Sequence, residues 1–174
     1  MSRVLIFLGF TLCSTAYAIV RGGPPERLAA ALFLLGVAAS ATVGLFDMPG
    51  GFSDVTIRLA LIDTLWALLF TMLAVSANRL WLIPFAACQI AAALVHLARL
   101  LFPGMIPAGY AFLTVIWSWP MIGLLAAGTF AHRTRVATGS NIPHWKPFFR
   151  QGRSKTLAAW LVQSLASFRP FMKP

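Results

Sequence analysis

The stretch RLALIDTLWALLFTMLAVSANRLWLIPFAACQIAAALVHLAR, residues 58–99, decides the fold. Two apolar runs flank the short polar break Ser76-Ala77-Asn78-Arg79, the pattern of a helical hairpin. The first run carries Asp63, and the second carries His96 and Arg99. Folding the hairpin about the break brings Asp63 opposite His96. Arg99, three residues further on, shares a helical face with His96. This is the one polar constellation that the apolar part of the chain yields on sequence grounds.

Composition sets the class. Of 174 residues, 59% are hydrophobic and only 10% are charged, against about 25% charged in an ordinary soluble domain. A soluble fold of this size could not hide so much apolar surface, so lipid must cover it. The expected fold is an all-α membrane protein. The chain is strongly basic, with 14 Lys+Arg against 4 Asp+Glu, and eight of the 14 follow His132. A basic tail can serve nucleic acid or anionic lipid. Beside apolar helices, the positive-inside bias accounts for it more cheaply, and nucleic acid is not an expected partner. Cys13 and Cys88 both lie in apolar runs. Two thiols make no disulfide framework, and each reads as a small buried hydrophobe.

Working outward from the hairpin, the apolar runs predict five spans, over about 4–20, 28–46, 59–77, 80–101 and 108–131. They form a transmembrane domain over 1–131. In the first run, Arg3, a short apolar core and Ala16-Tyr17-Ala18 look like a secretory signal. Its length also suffices to cross, and it is read as a retained helix. Residues 21–27 read as a polar turn. In the second run Gly36, Ser40 and Gly44 recur every four residues, which sets three small side chains on one face for helix packing. In the fifth run Pro120 is expected to kink the helix. Trp81 and Tyr110, near span ends, fit interfacial anchors.

Residues 132–174 form a basic tail. Within it, Leu157, Trp160, Leu161, Leu165 and Phe168 line one face of an amphipathic helix over 154–168. Trp145, Lys146, Arg150, Arg153, Lys155 and Trp160 are the expected contacts to the membrane surface or to a partner. With this tail in the cytoplasm and five spans, the N-terminus lies outside. Eleven Lys and Arg then fall on the cytoplasmic side and three on the other, as the positive-inside rule requires. The location that follows is a cell inner membrane.

Asp63 lies about 16 residues from the hairpin break, or about 24 Å along the helix. The hydrocarbon core is about 30 Å thick, so the cluster sits near the outer boundary. An ionised Asp there needs a cation, and His96 or Arg99 can supply one. The pair can simply clamp two helices, or it can form a proton or ligand site. The sequence names no cofactor. Single-histidine ligation of a pigment or haem by His96 is the option it leaves. There are no paired Cys or His at metal spacing, no Gly-rich phosphate loop and no supported Ser/His/Asp set. The expected role is therefore a non-catalytic accessory subunit of a larger membrane complex, with lipids and other membrane-protein subunits as partners. The alternative is a small transporter, channel or ligand-binding protein built on Asp63, His96 and Arg99.

Overall fold

The computed structural model describes residues 2–46, 57–102, 104–139 and 143–146. Every regular element among them is an α-helix: α1 (Ser2–Arg21), α2 (Pro24–Phe46), α3 (Ile57–Ser76), α4 (Leu82–Leu101), α5 (Pro107–Ile116) and α6 (Ser118–Ala137). Five helical segments are long and apolar enough to cross a membrane, the last running through α5 and α6 over Pro107–Ala137. That is compatible with a multi-pass membrane protein. Large apolar side chains stay exposed along the outer faces, Leu5 at 68%, Leu61 at 64% and Phe112 at 63% among them. In water such faces would drive aggregation, and lipid is their natural solvent. The chain divides into two compact units, Met1–His144 and Trp145–Pro174.

The first unit is built around the hairpin of α3 and α4, its most extensive helix pairing. Helix α1 packs on α2 and α6, α2 on α3 and α6, and α4 on α5 and α6. An aromatic layer joins α2, α3 and α4 near the hairpin turn. Phe85 of α4 meets Phe70 of α3, Phe33 of α2 and Trp81 edge to face, with ring centroids 4.9, 5.9 and 5.5 Å apart. Phe70 and Phe85 are wholly buried. Such pairs contribute about 0.5–1.5 kcal/mol each beyond the area they bury.

Local chemistry explains where the helices stop. Gly22 closes α1, its N–H donating to the Ala18 carbonyl at 2.9 Å. A Cβ on Gly22 would fall 2.4 Å from that same oxygen, so only glycine fits. Gly139, at φ 71°, ends α6 in the left-handed region that glycine tolerates. The expected polar turn over 21–27 is shorter in the structure. Pro24 and Pro25 already belong to the first turn of α2, where a missing N–H is harmless, and Glu26 sits at the positive end of the helix dipole.

The fifth span is interrupted, but at Trp117 and not at Pro120. The cause is still Pro120. It has no N–H to offer the carbonyl four residues back, that of Ile116, and its ring crowds that carbonyl. The backbone of Trp117 keeps near-helical angles, φ −69° and ψ −21°. Helix α6 then continues through Ala137, six residues beyond the expected end at 131, and carries His132, Arg133 and Arg135. In the second unit Trp145 is half-buried and Lys146 exposed. Arg150, Arg153, Lys155, Trp160 and the expected helix over 154–168 lie outside the described residues.

Candidate functional site

The α3–α4 hairpin positions the first site. Asp63 is the seventh residue of α3 and His96 the fifteenth of α4. Their antiparallel register brings His96 Nε2 to 2.9 Å from Asp63 Oδ2. Gln89, two turns before His96 on α4, donates its amide nitrogen to Asp63 Oδ1 at 3.2 Å. Each carboxylate oxygen thus has one partner from α4. The side chain of Asp63 remains 22% exposed, and that of His96 4%.

Tyr110 of α5 completes the chain. Its hydroxyl lies 2.8 Å from His96 Nδ1, and the residue is 1% exposed. With the hydroxyl donating to Nδ1 and Nε2–H donating to Asp63, one tautomer satisfies all three groups. Tyr110, near the start of the fifth span, is buried against His96. Arg99 donates to the main-chain oxygen of Met105, on the connection to α5. Across the hairpin, the Asp63 carboxylate is hydrogen-bonded by His96 and Gln89. Both ring nitrogens of His96 are hydrogen-bonded, Nε2 to Asp63 and Nδ1 to Tyr110.

Asp63 opens into a cavity of about 340 Å³ lined from all six helices. Asp63, Gln89, His96 and Tyr110 form its polar end. Phe7, Phe33, Trp66 and Val37 contribute apolar wall. The small residues of α2 have distinct tasks here. A Cβ on Gly36 would fall 2.6 Å from Trp66 Nε1. Its absence lets the Trp66 indole reach the Leu32 carbonyl at 2.6 Å, which ties α3 to α2 and sets the cavity wall. Ser40 lines the cavity. Gly44 falls in the last turn of α2.

A second polar cluster, which the sequence reading did not anticipate, sits at the opposite end of the hairpin. Arg79, in the turn between α3 and α4, is 4% exposed, and Glu26 of α2 is fully buried. Arg79 Nε donates to Glu26 Oε1 at 2.8 Å. Its Nη1 donates to the Asn78 carbonyl at 3.1 Å. Its Nη2 lies 2.8 Å from His144 Nδ1 and 3.4 Å from His132 Nδ1. A guanidinium only donates, so both imidazoles must turn a lone pair toward it. His144 is further tied by its carbonyl, which accepts from the Asn78 N–H at 2.9 Å. Glu26 Oε2 has no hydrogen-bond partner. One sequence signal for this site exists: Glu26 is the chain's single acid at the end where Arg21, Arg27 and Arg79 gather.

Trp81, also expected as an interfacial anchor, is half-buried, and its indole presses on α6 where a Cβ on Gly128 would fall 2.4 Å from the ring. Among the described residues, no group of three or more His, Cys, Asp or Glu side chains is placed to hold a metal ion. Comparison with protein-family models, with curated proteins and with solved structures finds no match.

Proposed function

We propose that this chain is a small inner-membrane protein, N-terminus outside and C-terminus in the cytoplasm, that takes a small amphiphilic molecule into the cavity beside Asp63. The observation that carries the reading is the cavity itself: about 340 Å³, polar at one end and aromatic along its wall. Ligand pockets run from about 300 to 1,000 Å³ and combine an apolar lining with a few convergent polar groups. A helix clamp alone accounts for the Asp63–His96 pair, but a clamp needs no open volume beside the carboxylate. Ionisable groups within membrane helices are costly and are functional candidates by default.

The test is purification in mild detergent, followed by mass spectrometry of the small molecules retained. Ser40 lines the cavity, so Ser40→Phe fills it from the α2 wall. The wild-type protein is expected to retain a stoichiometric small molecule that Ser40→Phe loses. Equal retention by both, with Ser40→Phe still monodisperse and folded, refutes the reading.

A second reading, the accessory subunit, has its own support. A groove of about 460 Å³ runs along the outer face of α3 and α4, past Ala60, Thr64, Ala67, Thr71 and Ala93. Small residues at such spacing let a foreign helix approach closely. The same preparation tests it. A membrane protein present in fixed ratio supports it, and a homogeneous lone chain from the native membrane counts against it.

A further inference from the structure

Resting on the reading of the cavity as a ligand site, we infer that its ligand is a protonated amine: a primary or secondary ammonium on a small alkyl or arylalkyl body. Charge comes first. Among the described residues that line the cavity, Asp63 carries the formal negative charge, and no Lys or Arg is present. His96 is 3% exposed, and its two ring nitrogens are engaged by Asp63 and Tyr110. A carboxylate or phosphate ligand would therefore set like charges together in a low-dielectric site, where their repulsion is strongest.

Hydrogen-bond capacity points the same way. An ionised carboxylate offers about four acceptor sites. Asp63 spends one on His96 and one on Gln89, and at 22% exposure it can be reached by a third donor. Gln89 turns its amide nitrogen to Asp63, at 3.2 Å from Oδ1 and 3.5 Å from the main-chain oxygen. The remaining acceptor sites of the carboxylate suit N–H donors. The aromatic rings of Phe7, Phe33 and Trp66 bound the same volume. Their faces attract cations and exclude water from the charge pair. Tyr110 and His96 are positioning residues here: they hold the carboxylate, and the amine binds the carboxylate.

The test is a matched series of probes: 2-phenylethylamine, 2-phenylethanol and 3-phenylpropionate. They share a body that fits the cavity and differ in the head group. Saturable binding is measured by calorimetry on the full chain in lipid nanodiscs, with empty nanodiscs subtracted. The amine is expected to bind at least about tenfold tighter than the alcohol, the advantage of a charge-assisted hydrogen bond over a neutral one, and the acid is expected not to bind. In Asp63→Asn the amine and the alcohol should bind equally. Alcohol binding as tight as amine, or acid binding tightest, overturns the amine assignment while leaving the cavity a ligand site. No saturable binding by any probe overturns the assignment and the cavity reading together. The wild-type series decides the matter even if Asp63→Asn fails to fold.

Discussion

Arg79 and Asp63 are both charged residues in an apolar bundle, and each is held by a different logic. Arg79 stands at the hairpin turn, donating to Glu26, to Asn78 and toward two histidines. Removing one member of a buried pair leaves the other charge unpaired, which costs about 3–5 kcal/mol. Arg79→Met is therefore expected to lower the unfolding midpoint in detergent sharply. The double variant Arg79→Met/Glu26→Gln should recover most of the loss, because no buried charge is stranded. A single variant as stable as the parent would show that Glu26 carries no charge there. Asp63 was legible in the sequence because one acid in a long apolar run has few ways to be satisfied. Glu26 and Arg79 were not, because charges in turns between spans read as solvated ends. Their burial depends on how α2 and α6 close over the turn. Tyr110 was missed for a related reason: its hydroxyl reaches His96 only once α5 has packed on α4.

At the scale of the element, the hairpin was readable and the fifth span only partly so. The break at 76–79 set the register of α3 against α4, and that register alone brings Asp63 to His96. The proline of the last span was equally visible. The position of the interruption was not, since it falls at Trp117, on the turn whose carbonyl Pro120 leaves without its N–H partner. Pro120→Ala restores that donor. Amide exchange over 117–120 is expected to slow, with a protected amide appearing at residue 120. Unchanged exchange would mean that side-chain packing holds the interruption in place. The contacts of Trp119 with Phe7 and Phe10, with centroids 5.5 and 6.4 Å apart, would be the ones to examine.

At the scale of the molecule, apolar composition made the five spans legible, because only helices satisfy their own backbone in lipid. The distribution of Lys and Arg then predicts the orientation, and chemistry can check it. With Cys13 and Cys88 replaced by alanine, single cysteines at Gly104 and Thr138 report on opposite ends of the last span. A membrane-impermeant maleimide applied outside intact cells is expected to label position 104, and position 138 only after the membrane is opened. The reverse pattern would invert the assignment.

The aromatic layer of Phe33, Phe70 and Phe85 has a consequence for the two polar clusters. Along each helix it falls between Glu26 and Arg79 on one side and Asp63 and Gln89 on the other. Benzene rings offer water and protons no hydrogen-bond partner. The three side chains thus set an oily stretch between the acid of one hairpin end and the acid of the other.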